Sequence, residues 1–267
     1  VIGPTGVIGS ALINRLIQQD IEVYAICRQN SKRKNNIVTH KLVHIVECNL
    51  SNLLQLSTVI GCTCDALYYL AWEGTLNPKY RFDMYLQNEN IKYALYAVDV
   101  ANELGCKVFV GAGSQAEYGC EGGILHPNSA TNPISGYGMA KLCAGQMTRY
   151  MCKQYGIRHI WPRIVSIYGE NDGQQTLINW TIDHLLAGKK PPLTGGEQIW
   201  DYLYSKDAAD ALYKMAIKGR DGAVYVLGSG KTKKLREFIE IIRDQIDPKL
   251  QLGFGEVPYN KDQVMHL

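Results

Sequence analysis

The stretch Gly136-Tyr137-Gly138-Met139-Ala140-Lys141 sets a tyrosine and a lysine four residues apart. On a helix that spacing puts both side chains on one face, a phenol beside an ammonium. A phenol with a pKa of about 10 holds its proton too tightly for chemistry near neutral pH, and a neighbouring positive charge favours the phenolate. Tyr137 and Lys141 are therefore candidates for proton exchange with an alcohol or carbonyl oxygen. Both residue types are common, so the pair gains meaning only from its company. A second pattern opens the chain: Val1-Ile2-Gly3-Pro4-Thr5-Gly6-Val7-Ile8-Gly9, followed by an apolar-periodic run from Ala11 to Ile17. Glycines so placed permit a tight strand-to-helix turn and close backbone approach, with a pyrophosphate held at the helix N-terminus. Gly3, Thr5, Gly6, Val7, Ile8 and Gly9 are the expected cradle for a dinucleotide.

Together, the GxxGxxG spacing and the Tyr137/Lys141 pair resemble the short-chain dehydrogenase/reductase superfamily, and within it the extended, sugar-nucleotide-modifying branch. The resemblance runs from Val1 into the last third of the chain. It implies an α/β fold, a Rossmann-type doubly wound parallel sheet with a small C-terminal substrate-binding region. Residues 1–169 would form the NAD(P)-binding domain, completed by about 199–228, and 170–198 with 229–267 the smaller region. The chain opens inside an apparent strand and ends early for this branch, so residues are expected to be missing at both termini.

The elements that must position these groups follow in order. Ile21 to Cys27 is a short apolar run, the second strand of a parallel unit. In NAD-binding relatives an acidic residue usually stands at its end; here Cys27 is followed by Arg28, Ser31, Lys32 and Arg33. With no carboxylate expected there to repel a phosphate, Arg28 and Ser31 favour NADP over NAD; the bland alternative is a solvated basic loop. Leu42 to Val46 reads as the third strand, leading to Asn49 and Leu50, which the resemblance places beside the adenine. Ala66 to Leu70 is the fourth, and the resemblance implies that Leu70, Ala71 and Trp72 pass beneath the cofactor; Trp72 also borders the substrate, or simply packs. A long helix from about Tyr80 to Leu104 carries Asn90, which the resemblance assigns to a water-linked path to the lysine, against a capping or surface amide.

Val108 to Ala112, the fifth strand, delivers Ser114, which the resemblance makes the catalytic hydroxyl that stabilises the reacting oxygen. Related 4,6-dehydratases place Asp and Glu next; here Gln115 and Ala116 occupy those places, and neither transfers protons. Dehydration is disfavoured, Gln115 is left as a substrate contact, and Glu117 is expected on the other face of an extended segment. From Gly122 to Pro133 the chain reads as loop, then the Tyr137 helix runs to about Gln154 and a strand covers Ile157 to Ile164. Arg163 is expected at the cofactor, and Ser166 stands where an asparagine usually contacts the sugar nucleotide. A helical run spans Gln175 to Ala187. The strand Ile199 to Tyr204 carries Trp200-Asp201 where relatives have Arg-Asp; an indole stacks but cannot neutralise a diphosphate, which leaves Lys206 or Arg163 to compensate, or a substrate without a diphosphate. Asp207 is expected to cap a helix to about Lys218, followed by a strand at Ala223 to Leu227 and an amphipathic helix from Leu235 to Ile246.

The 267 residues can bury a substantial core. No apolar run reaches the roughly 20 residues of a spanning helix and no signal peptide is visible, which argues against a membrane. The net charge of +3 is too small and dispersed for nucleic acid. The eight cysteines are scattered without metal-ligand or disulfide spacing, read as reduced thiols of a cytoplasmic protein with no metal. The function these residues favour is an NADP-dependent oxidoreductase that reduces a nucleotide-linked 4-keto sugar. Tyr137 would supply the proton, while Lys141 keeps the phenol acidic and contacts the nicotinamide ribose. The runner-up is an NAD-dependent nucleotide-sugar 4-epimerase. A non-catalytic dinucleotide sensor or scaffold is the third alternative, against which Ser114, Tyr137 and Lys141 stand together. A homodimer is implied by the resemblance only.

Overall fold

The computed structural model describes residues 1–75, 77–120, 123–260 and 263–267. In chain order, α1 (Val7–Ile17) leads to β1 (Val23–Cys27) and β2 (Val43–Glu47), and α2 (Leu56–Ile60) to β3 (Ala66–Tyr69). Then come α3 (Pro78–Arg81), α4 (Met84–Glu103), β4 (Val108–Gly111), β5 (Gly113–Ser114), α5 (Gly136–Tyr155), β6 (Arg158–Ile164), β7 (Ile167–Tyr168), α6 (Leu177–Leu186) and β8 (Pro192–Leu193). The chain continues through β9 (Ile199–Asp201), β10 (Leu203–Tyr204), α7 (Ser205–Lys218), β11 (Ala223–Leu227), β12 (Thr232–Lys234), α8 (Leu235–Ile246) and β13 (Gly253–Phe254).

The main sheet is parallel, in the order β2-β1-β3-β4-β6-β11, with β5 extending the pairing to β6. Ile2 bridges Ile26 and Tyr69, so the opening residues lie at the sheet's centre, between β1 and β3. Helices cover both faces, as a parallel sheet of apolar strands requires. On one, Leu12, Ile13 and Leu16 of α1 meet Ala208, Ala209 and Leu212 of α7 over Val110 and Ile160. On the other, Ala94, Ala97, Val98 and Ala101 of α4 share a buried cluster with Ala144 and Cys152 of α5, Phe109 and Trp161. The doubly wound architecture expected from the sequence is present.

Three local expectations fail for identifiable reasons. The single helix from Tyr80 to Leu104 is two: Phe82 and Asp83 interrupt it, and the Asp83 carboxylate accepts the Tyr85 and Leu86 N–H groups to start α4 afresh. The strand from Ile199 to Tyr204 divides at Tyr202. Its first part pairs antiparallel with β12 and its second parallel with β7, so neither joins the main sheet. Asp207 does not cap α7; it lies in the first turn of a helix whose N-cap is Tyr204, without a side-chain cap. There its charge still complements the helix dipole.

Candidate active site

Two close approaches assemble the site. Gly3, at φ +92°, lies so near the backbone of Ala71 that a Cβ there would stand 2.8 Å from the Ala71 nitrogen. Nothing lies within 4 Å of where a Gly6 side chain would project, at the N-cap of α1. The glycine turn is thus pressed against the end of β3 and open toward the first turn of α1, whose leading N–H groups have no helical partner. That donor set and that open space suit a pyrophosphate, and Thr5, Val7, Ile8 and Gly9 line the same turn. The second approach is at Gly138, where a Cβ would meet the carbonyl oxygen of Ala116 at 2.3 Å. Glycine at this place lets the start of α5 lie on the 3-10 turn Gln115–Glu117, which follows β5.

Through that contact Tyr137 reaches Ser114. The Ser114 hydroxyl stands beside the phenol, near enough to favour its ionised form, and the Ser114 oxygen accepts the Ala116 N–H at 3.2 Å. Burial raises the Tyr137 pKa; the Ser114 hydroxyl and the nearby Arg81 oppose it, while Glu117 adds to it. Lys141 is buried, donates to the Ala112 carbonyl at 2.7 Å and lies 3.8 Å from the centre of the Trp72 ring. Burial pulls its pKa down to about 7, with Glu117 opposing. The expectation that Lys141 makes the phenol acidic is therefore not met here: its ammonium is 5.8 Å from the Tyr137 ring centre and directed at Ala112 and Trp72. The cation beside the phenol is Arg81, 4.5 Å from the same centre.

Trp72 walls this group. Its ring meets Tyr137 edge-on at 6.2 Å and its indole N–H donates to Gln87 at 2.8 Å. Asn90 is fully buried, but its amide is spent on Glu73, accepting its N–H at 2.9 Å and donating to its carbonyl at 3.0 Å. It clamps the loop after β3 rather than joining the reacting groups. Gln115 follows Ser114, half-buried, at the start of the 3-10 turn.

Glu117 and Arg163 also depart from expectation. The backbone turns at Gln115–Glu117 instead of extending, so Glu117 points inward and is fully buried. Its carboxylate accepts the Ser114 N–H at 2.8 Å, the Trp161 indole N–H at 3.0 Å and the Arg163 Nε at 2.7 Å. Arg163, stacked on Tyr118, is committed to that ion pair and does not serve the cofactor cleft. Lys206 is likewise paired, with Glu170 at 3.2 Å.

At the end of β1 a carboxylate is present after all. Parallel register sets Glu47 opposite Cys27, where Lys34 pairs with it at 2.6 Å. Arg33 donates to the Asn171 carbonyl, while Arg28 is exposed and its side chain makes no hydrogen bond or ion pair among the described residues. Ser31 closes a turn onto the Arg28 carbonyl. Asn49 is exposed beside them, whereas the Leu50 side chain faces the core. Leu70 and Ala71 are half-buried beside Gly3. Ser166 gives its carbonyl to the Leu203 N–H. Trp200 lines a cavity of about 320 Å³ with Trp180, Leu193, Gln198 and Leu235, and its indole N–H has no partner there. None of Ser114, Tyr137 and Lys141 lines that cavity.

Known proteins match this arrangement. The NAD dependent epimerase/dehydratase family model matches residues 1–228. The chain belongs to this family. Over 98% of its length it is 27% identical to a putative UDP-glucose 4-epimerase of Methanocaldococcus jannaschii, covering 85% of that protein. Among solved structures, a UDP-N-acetylglucosamine 4-epimerase of Methanobrevibacter ruminantium M1 superposes with a TM-score of 0.88 at 21% identity, over 99% of this chain and 86% of that one. DesIV, a dTDP-glucose 4,6-dehydratase of Streptomyces venezuelae with NAD bound, gives 0.86 at 20% identity over 99% and 85%. The extended, Rossmann-like sugar-nucleotide branch expected from the motifs is thereby established. Among the described residues no helix is long and apolar enough to cross a membrane, and no group of three or more His, Cys, Asp or Glu side chains could hold a metal ion.

Proposed function

We propose that this member of the family is an NADP-dependent oxidoreductase that reduces the 4-keto group of a nucleotide-linked sugar. The observation that carries the reading is the juxtaposition of the Ser114 hydroxyl and the Tyr137 phenol, where Gly138 lets the start of α5 lie on a turn whose neighbours Gln115 and Ala116 cannot move protons. Tyr137 gives its proton to the carbonyl oxygen as that oxygen gains charge, and the Ser114 hydroxyl donates to the same atom. The glycine turn and α1 hold the dinucleotide, which supplies hydride when bound. Lys141, on the Tyr137 face of α5, turns toward the nicotinamide ribose. Gln115 and Trp72 meet the sugar, and Ser166 and Trp200, which flank the smaller region formed by 170–198 and 229–267, belong to the part of the site that receives the nucleotide. Preference for NADP rests on the unpaired Arg28 beside Ser31, with the nearby Glu47 charge already matched by Lys34.

A 4-epimerase using NAD is the second reading, favoured by the full-length similarity to the putative UDP-glucose 4-epimerase. The two separate in one assay. With a panel of nucleotide-linked 4-keto sugars and NADPH, the reductase consumes nicotinamide absorbance in proportion to alcohol formed. An epimerase interconverts two alcohols with no net change in the dinucleotide. Failure on every sugar despite dinucleotide binding would return the sensor alternative to favour.

The assembly we infer is a cytoplasmic homodimer. Met139, Cys143, Met147 and Tyr150 recur at helical spacing along one stripe of α5, with Met139, Met147 and Tyr150 exposed, and exposed Met84 and Tyr85 begin α4.

A further inference from the structure

We propose that Arg81, by resting its guanidinium on the Tyr137 ring, is the cationic partner of the phenol and sets the pH range over which Tyr137 exchanges its proton. The inference rests on the proton-transfer role given to Tyr137 above. A cation over an aromatic face is attracted by the ring and favours a negative charge on its oxygen, more strongly where water is partly excluded. Arg81 stands 4.5 Å from the ring centre and is half-buried.

Its position is built. The Asn77 side chain accepts the Lys79 N–H to start α3, Gln87 donates to the Tyr80 carbonyl at its end, and Asn90 clamps Glu73 before it. Gly136, next to Tyr137, has no side chain to hold off the Arg81 carbonyl, which a Cβ would meet at 3.2 Å. Arg81 is also uncommitted: among the described residues its side chain makes no hydrogen bond and no ion pair, and its one contact of this kind is the Tyr137 ring.

The other charged or titratable groups around the phenol do not provide a constant positive charge. Ser114 is neutral, and the Glu117 carboxylate is matched by Arg163. Lys141, on the same helix as Tyr137, donates to Ala112 and has a pKa near 7, so its charge varies across the working range. Arginine stays protonated throughout. Arg81 is the permanent charge of the group and Lys141 the variable one.

The test is a ¹⁹F NMR titration of protein carrying 3-fluorotyrosine, whose more acidic phenol brings the transition within the range where the fold persists. The Tyr137 resonance is assigned by its loss in Tyr137→Phe. Arg81→Met is expected to raise the Tyr137 midpoint by about one unit, a tenfold loss of acidity. Arg81→Gln, which keeps a polar side chain of similar reach, should do the same should the Met variant not fold, and Arg81→Lys should restore most of the shift. Equal midpoints in wild type and the uncharged variant would overturn the proposal. The limb of the pH–rate profile that reports Tyr137 should move with the NMR midpoint. Because the NMR readout needs no substrate, it still decides the role of Arg81 if the keto-sugar reading fails.

Discussion

On the proposed reading, Tyr137 is the residue on which the chemistry turns. Its replacement by Phe removes one oxygen and leaves the ring contacts with Trp72 and Arg81 in place. Turnover is expected to fall by about 100- to 10,000-fold, with dinucleotide affinity, followed by tryptophan fluorescence, unchanged. Lys141 carries a different signature, because its folded pKa of about 7 lies below the ordinary lysine value of 10.5. Between those two pH values the unfolded chain binds a proton that the folded one does not, so stability rises with pH across the window. Below about 7 the buried charge is carried in full. Lys141→Met should therefore stabilise the ligand-free protein at pH 6, by about 2 kcal/mol, and the gain should shrink toward pH 10 in thermal denaturation. A pH-independent difference would show that the amine is not desolvated. The i,i+4 spacing, read together with the glycine turn, singled out Tyr137 and Lys141, since that geometry is local. It could not show where the ammonium points, because the carbonyl of Ala112 and the ring of Trp72 come from the segments that follow β4 and β3.

At the scale of elements, the site depends on how the 3-10 turn after β5 is held against α5. Two features do this: the missing side chain at Gly138 and the buried Glu117 carboxylate with its three donors. Gly138→Ala forces the Ala116 carbonyl away and should separate Ser114 from Tyr137, lowering turnover by at least about tenfold with little effect on dinucleotide binding. Glu117→Gln leaves Arg163 buried without its partner charge and should cost about 3–5 kcal/mol in urea unfolding. A loss below 1 kcal/mol would mean that the Glu117 cluster is not a structural strut. The packing at Gly138 was not legible in the chain. Ser114-Gln115-Ala116-Glu117 does carry the Ser-x-x-Glu capping-box pattern of a turn start, with the Glu117 carboxylate accepting the Ser114 N–H, but the partners Trp161 and Arg163 lie more than 40 positions away. Asn90 was found by its place in the helix, yet its amide serves the loop at Glu73; only the packing of α4 on that loop reveals this.

For the whole molecule, the parallel sheet between two helical layers followed from the family resemblance carried by the glycine turn and the Tyr137/Lys141 pair, while apolar runs separated by turn residues placed the single elements, and β11 and α8 fall where the pattern set them. The break of Ile199–Tyr204 and the pairing of Glu47 beside Cys27 are matters of register between distant segments, which no local pattern encodes. Arg28 and Glu47 now define the cofactor question: Arg28→Ala should weaken NADPH binding about tenfold and leave NADH nearly unchanged. The α5 stripe predicts a dimer in sedimentation that Met147→Glu with Tyr150→Glu converts to monomer; a wild-type monomer at all concentrations would refute the interface. Hydride transfer from NADPH to a nucleotide-linked 4-keto sugar, followed in single turnover for wild type and Tyr137→Phe side by side, tests the proton-transfer role most directly. Rapid oxidation of NADPH in the wild type and a loss of at least about 100-fold in the variant is the expected result. Equal rates in the two proteins would contradict it.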